Sequence, residues 1–441
     1  MTSSADFTIV GTGLAGTLLA CALAKSGRRV DLYERRPDPR LTGPQGGRSI
    51  NLALSVRGLH ALDEIGLKDR VVASSVLMRG RMIHPVRGPL VFQPYGKDDT
   101  EALHSVSRAG LNKLLVEVAG QMPGIRMFFD HRCTNYEVKD GTLDFEVGSG
   151  TTRVQSDRVI GADGAFSAVR TSLQKIDRFD FSQDFLTHGY KELSIPRGAA
   201  GGWRMDKNAL HIWPRGDHMM IALPNSDGSF TCTLFWPYDG PHGFSRLTCE
   251  REVISDFQEQ FPDAVPLIPD LGAMYLQNPV GSLVTVRCRP WHIGGRVVLI
   301  GDAGHAVVPF LGQGMNAAFE DCSVLVECLQ RNSGKTEAAF AEYESRRKPN
   351  ADVLADLCVE NFIEMRDKVG SPLFVMKKKL DVLLHKLMPH SYLPLYTMIE
   401  FTRIPYAEAL ARAKRQSAIV LFMAVCLFAL ASALVIWLVK R

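Results

Sequence analysis

The chain has 441 residues, of which 46% are hydrophobic and 22% charged, enough apolar sequence for two intertwined domains and too little charge for general disorder. Its formal net charge is +4, without a basic arm interleaved with aromatic residues, which argues against a nucleic-acid partner. Nine cysteines, scattered from Cys21 to Cys426 with no CxxC pair or His-rich spacing, argue against a disulfide framework and a metal site, and read as reduced thiols.

In chain order, Phe7-Thr8-Ile9-Val10 predicts a short apolar strand, and the glycine loop Gly11-Thr12-Gly13-Leu14-Ala15-Gly16 follows it. A helix then runs through Leu18, Leu19, Leu23 and Ala24 to Gly27, and Arg29-Val30-Asp31-Leu32-Tyr33 is the next strand, delivering Glu34. This strand, loop, helix and strand make a βαβ unit, the setting in which the glycine spacing signals a dinucleotide. Arg158-Val159-Ile160-Gly161 and Arg296-Val297-Val298-Leu299-Ile300 read as further apolar strands. Between about 175 and 285 the texture changes to short strands such as Met219 to Leu223 and Phe230 to Phe235, separated by turns. From about 345 to 415 the pattern is helical, with Leu354, Leu357, Asn361 and Met365 at helical spacing and a break at Gly370-Ser371-Pro372.

These segments predict an α/β protein: a Rossmann-type nucleotide-binding domain in three parts (1–75, 103–174 and 286–345) with an inserted antiparallel-sheet substrate domain (76–102 and 175–285) and a C-terminal helical region (346–415). Residues 418–439 form an apolar run without a charge or proline, flanked by Arg412, Lys414 and Arg415 on one side and Lys440 and Arg441 on the other. Since about 20 apolar residues cross a bilayer core, the run predicts one transmembrane helix anchoring a cytosolic catalytic part. No secretory signal is apparent at the N-terminus. Lys377-Lys378-Lys379 reads either as a contact for anionic lipid headgroups or as a solvated face.

The chemistry concentrates in two places far apart in sequence. Gly11 permits a tight turn, Gly13 lets the backbone approach a pyrophosphate, and Gly16 lets the helix pack on its strand; Leu14 and Ala15 complete the loop. Glu34 is placed to accept ribose hydroxyls, and an acidic residue here argues against a 2′-phosphate and for FAD or NAD. Arg35 covers the adenine or phosphate, or is merely solvated. Near the other end, Asp302 follows an apolar strand, where a carboxylate holds a ribityl chain, and Gly312 and Gly314 let the next loop pass close to a flavin. The helix entered through Met315 and Asn316 then points its N-terminus at the flavin edge that becomes anionic on reduction. His305 reads as a packed structural histidine. The pair of elements points to FAD, and the absence of a second complete glycine fingerprint to a nicotinamide that visits transiently.

With these motifs in hand, the chain resembles the class A flavoprotein aromatic hydroxylases, and among them the membrane-anchored kynurenine 3-monooxygenase family. The generic markers are the glycine loop, Gly161-Ala162-Asp163-Gly164 with Ser167 and Arg170, and Gly301-Asp302; more specific are Gly47 to Ser55, Arg79 to His84, Gln93 to Gly96, His188 to Leu193, His211 to Pro214 and Glu360 to Met365. The resemblance implies hydroxylation of L-kynurenine in tryptophan catabolism with NADPH and O2, the oxygen being carried by the reduced flavin. It implies Arg81 and Tyr95 on the substrate carboxylate, Asn361 as a polar pocket contact, Leu103, Phe235, Pro309 and Phe310 as the apolar wall, and Arg108 on an FAD phosphate. It implies no catalytic side-chain nucleophile, a bacterial inner or mitochondrial outer membrane, and leaves a homodimer open. Another class A hydroxylase, or a membrane-tethered flavoprotein without turnover, are the alternatives.

Overall fold

The computed structural model describes residues 5–42, 51–98, 100–365, 372–388 and 391–439. Residues 47–50 of the Gly47 to Ser55 motif, and the side chains of Lys377, Lys378 and Lys379, lie outside the described residues.

The nucleotide-binding layer is a six-stranded sheet ordered His292–Ile293, Val297–Leu299, Val159–Gly161, Phe7–Val10, Val30–Tyr33, Ile125–Phe128. All its neighbours run parallel except the His292–Ile293 edge. Phe7–Val10, Val30–Tyr33, Val159–Gly161 and Val297–Leu299 are buried along their whole length. An all-apolar strand suits a parallel sheet covered on both faces, and this is why Val159–Gly161 and Val297–Leu299 read as unbroken apolar runs, while Val30–Tyr33 carries a buried Asp31 paired with Arg126. The Leu14–Lys25 helix packs against both the Arg108–Gln121 and Gly314–Arg331 helices, so the last of these, about 300 residues later, lies beside the first βαβ unit.

The substrate-side layer is a seven-stranded sheet ordered Gly281–Arg289, Asp180–Ile195, Phe230–Pro237, Met219–Pro224, Ala209–Pro214, Gly80–Ile83, Val91–Pro94. It is not wholly antiparallel as expected. Gly80–Ile83 runs parallel to Ala209–Pro214, with Leu210 opposite Arg81, because the strand arrives from the first hundred residues by a long crossover and not by a hairpin. A three-stranded sheet of Asn51–Leu54, Leu103–Ser107 and Val76–Met78 bridges the two layers.

Thr336–Ile363 forms one long helix. The short Leu395–Glu400 helix packs against the first turns of Tyr406–Val439, in which Tyr406 and Ala409 are fully buried. The expected transmembrane helix, and with it the membrane-anchored localisation, is corrected here: among the described residues no helix is long and apolar enough to cross a membrane. The Tyr406–Val439 helix opens with the charged residues Glu408, Arg412, Lys414 and Arg415, of which Glu408, Lys414 and Arg415 are exposed. Beyond them the side chains at 424, 427, 428, 434, 435 and 439 lie outside the described residues.

Candidate active site

The glycine loop is shaped by what each missing side chain would strike. Gly11 has φ +108°, and a Cβ there would sit 2.5 Å from the Ala162 carbonyl oxygen; one at Gly16 would sit 2.0 Å from the Gly11 oxygen. Gly13 differs, with nothing within 4 Å of its Cβ position. Two glycines therefore serve packing, and the third faces open space beside the start of the Leu14–Lys25 helix, whose first amides have no partner within the helix. A diphosphate fits that cradle. At the end of the Val30–Tyr33 strand, one Glu34 carboxylate oxygen accepts from the Thr12 backbone N–H (2.8 Å) and hydroxyl (2.9 Å), and the other from the Arg36 N–H (3.0 Å). Glu34 and the exposed Arg35 line a cavity of about 130 Å³ with Gly11, His131, Arg132 and Asp163, placed for the adenosine end of a dinucleotide. The residues present thus fit FAD.

The second element meets the first at Gly301 (φ +54°), where a Cβ would lie 3.1 Å from the Ala318 and 3.5 Å from the Ala15 methyl. Asp302 follows, exposed. Behind it stands a buried charge network. The fully buried Asp321 accepts from the Gly301 N–H (3.0 Å), from Arg347 Nε (2.6 Å) and pairs with His305 Nε2 (2.5 Å). Glu320 links Arg347 (2.6 Å) to Arg57 (2.7 Å). Burial pushes the Asp321 carboxyl up, and His305 and Arg347 outweigh it, so the group is held below its ordinary value. His305, stacked on Trp291 at 4.9 Å, holds the loop in place.

Gly312 (φ +70°, left-handed) turns the chain into the Gly314–Arg331 helix, whose N-terminal amides include Gly314 and the half-buried Met315. The Asn316 side chain is used up within the protein, donating to the Ala53 and Gly312 carbonyls (both 2.9 Å) and accepting from the Ser55 N–H (3.0 Å). It ties the bridging sheet to the flavin-side loop. Arg108 is exposed at the start of its helix.

On the substrate side, Arg81 projects from Gly80–Ile83 while Tyr95 lies just past Val91–Pro94. The Arg81 guanidinium carbon is 5.9 Å from the Tyr95 ring centre and 5.0 Å from that of Tyr396, and the two rings stack 5.7 Å apart. The Arg81 Nε is buried without a partner. Burial works against the Arg81 charge, but Tyr396, Tyr95 and Glu364 more than offset it and raise its pKa. Burial drives the Tyr95 phenol up to about 12, so both rings stay neutral donors. Leu103 packs in one cluster with Tyr95, Met78 and Leu223. Phe235 and Phe310 (ring centres 4.9 Å apart) sit in a neighbouring cluster, where Phe310 also stacks on Phe362 at 4.2 Å. Leu210 and Ile221 touch both clusters. Asn361 donates to the Phe310 carbonyl at 2.7 Å, and Pro309 is exposed.

An arginine set against two phenols, in a chain that also holds a dinucleotide cradle, invites comparison with known enzymes. A family described as an FAD binding domain matches residues 4–357. Kynurenine 3-monooxygenase of Salinispora arenicola is 49% identical over 436 residues, covering 97% of this chain and 96% of that protein. Those of Myxococcus xanthus (48%, covering 91% and 87%) and Dictyostelium discoideum (46%, covering 91% and 89%) match similarly. The chain belongs to the kynurenine 3-monooxygenase family. Among solved structures, p-nitrophenol 4-monooxygenase PnpA from Pseudomonas putida superposes with TM-score 0.71 at 18% identity, covering 91% of this chain and all of that one. 2-Methyl-3-hydroxypyridine-5-carboxylic acid oxygenase does so with TM-score 0.67 at 22% identity, covering 84% and 94%. At those identities the likeness is one of fold.

Within this member of the kynurenine 3-monooxygenase family, three site residues escape sequence reasoning: Tyr396, Glu400 and Gln313. Tyr396 and Glu400 stand one turn apart on the six-residue Leu395–Glu400 helix, about 300 residues after Arg81. Their i, i+4 spacing on one helix face is the only signal they carry.

Proposed function

We propose that this chain hydroxylates L-kynurenine to 3-hydroxykynurenine, consuming NADPH and O2 and releasing NADP+ and water. The observation that carries the reading is the guanidinium of Arg81, its Nε buried, set against the stacked Tyr95 and Tyr396 rings. Such a site takes a carboxylate, since a planar guanidinium with an unpartnered Nε and two neutral phenol donors satisfies several of its lone pairs at once. The identity to kynurenine 3-monooxygenases supports an amino acid on an aromatic ketone as the molecule that brings it.

FAD, when bound, accepts the electrons of the nicotinamide and activates oxygen. The glycine loop and Glu34 would hold its adenosine diphosphate, with Arg35 and Arg108 at the edge, and Asp302, Gly314, Met315 and the backbone of Asn316 its other half. The helix start contributes partial positive charge where the reduced cofactor is negative, a contribution of about 0.3–1 kcal/mol and more when buried. Arg81 and Tyr95 fix one end of the substrate, and Leu103, Phe235 and Phe310 press on its ring and exclude water, so that position 3 meets the oxygen in one orientation. No side chain is required as a nucleophile.

Anaerobic stopped-flow mixing of the yellow holoenzyme with NADPH tests the reading. Flavin bleaching is expected to accelerate at least tenfold when kynurenine is present. Equal rates with and without it would contradict the assignment.

A further inference from the structure

Glu400 ends the Leu395–Glu400 helix, one turn beyond Tyr396, and is 1% exposed. One carboxyl oxygen, Oε2, accepts from Gln313 Nε2 at 2.6 Å, and Gln313 in turn accepts from the Tyr406 hydroxyl at 2.9 Å. Gln313 is wholly buried and immediately precedes the Gly314–Arg331 helix. The other oxygen, Oε1, is buried with no partner. We propose that Glu400 is a positioning residue of the hydroxylation site, joining the carboxylate clamp of Arg81, Tyr95 and Tyr396 to the loop that meets the flavin edge. This rests on the kynurenine-hydroxylating reading above.

The charges around Glu400 show how it works. Arg81 faces it from the seven-stranded sheet and Arg57 from the Val56–Glu64 helix; Tyr95, Tyr396, Tyr406 and the Cys358 thiol complete the surroundings. Arg57 is already paired with Glu320 at 2.7 Å and lies over the Tyr406 ring at 4.1 Å. Burial outweighs both arginines and lifts the Glu400 carboxyl to about 8, so at neutral pH it is an uncharged acid whose proton sits most simply on the unpartnered Oε1. An uncharged Glu400 does not compete with an incoming carboxylate for the Arg81 charge, on which Glu364 also acts. Above pH 8 the acid releases its proton to solvent, and the resulting carboxylate competes with the substrate for Arg81. Through Gln313 the same group holds the start of the helix whose amides would face the flavin.

The test uses holoenzyme and an analogue of kynurenine without the α-amino group, whose own ionisation is thereby removed. Its dissociation constant, read from the flavin absorbance change, is expected to rise about tenfold from pH 7 to pH 9 in the wild type and to stay flat in Glu400→Gln. Glu400→Leu, which loses the acceptor for Gln313, is expected to lower kcat at least tenfold with full FAD occupancy, and Glu400→Gln to recover most of that loss. The wild-type titration decides even if a variant fails to fold: a constant that does not change with pH while kynurenine is still hydroxylated overturns the role of Glu400 and leaves the proposed function standing. Failure of the wild type to hydroxylate kynurenine at all overturns the function and this inference with it.

Discussion

Replacing Arg81 by alanine removes the guanidinium set against the stacked Tyr95 and Tyr396 rings. Its effect can be worked from the site. A hydrogen bond to a charged group contributes about 1.5–3 kcal/mol, and a guanidinium offers a carboxylate two of them in parallel. The remaining phenols recover part of the loss, so about 3 kcal/mol is expected, or roughly 150-fold in affinity. FAD occupancy should not change, because Arg81 lies on the seven-stranded sheet and the dinucleotide cradle on the six-stranded one. The assay compares kynurenine with its decarboxylated analogue in wild type and Arg81→Ala, reading KM and flavin absorbance. Kynurenine should lose roughly 150-fold, and the analogue about threefold or less, since it has no carboxylate to lose. Equal losses for both, or a loss below about threefold for kynurenine, would refute the carboxylate clamp.

Gly13→Val should give folded but colourless protein, because its side chain enters the open space of the cradle and takes the volume of the diphosphate; retained yellow colour would contradict this. Asp321→Asn breaks a buried ion pair with Arg347 and alters the contact with His305, and should cost about 3–5 kcal/mol by denaturant unfolding, a loss under about 1 kcal/mol being the contrary result. His211, buried and bonded to His84 at 2.8 Å, is held down to about 4 from an ordinary value of 6.5, chiefly by burial. Between those values the unfolded chain binds the extra proton, so His211 should cost stability as pH falls from 6.5 to 4, by up to about 3 kcal/mol. Thermal midpoints of wild type and His211→Gln across that range check it: the variant should show the shallower decline, and parallel curves would tell against it.

Local signals made much of the nucleotide-binding layer legible in sequence. The glycine spacing, the unbroken apolar strands and Glu34 each follow from a requirement of one short segment: a positive φ at Gly11, burial on two faces, a carboxylate at a strand end. The substrate side depends on pairings that no single segment announces. That Gly80–Ile83 joins Ala209–Pro214 in parallel is decided by the crossover and not by either strand's composition. Tyr396, Glu400 and Gln313 come together only when the C-terminal helices dock, and nothing in the pattern around residue 396 sets its tyrosine apart from an ordinary amphipathic position. The apolar run at 418–439 shows the reverse case, a composition that reads as a membrane span where the described residues hold no helix long and apolar enough to be one. Asn316 illustrates a finer limit: its place at the helix start was readable, but its engagement with Ala53 and Ser55 depends on the end of the Asn51–Leu54 strand and the residue after it, Ser55, 261 residues earlier.

The central claim is that a clamped aromatic amino acid receives one atom of molecular oxygen beside a bound flavin. Turnover of kynurenine with NADPH under oxygen-18 gas, with the product analysed by mass spectrometry, tests it most directly. The account predicts 3-hydroxykynurenine carrying one labelled oxygen in its new phenol. Unlabelled product, or NADPH consumption that yields only hydrogen peroxide, would contradict it.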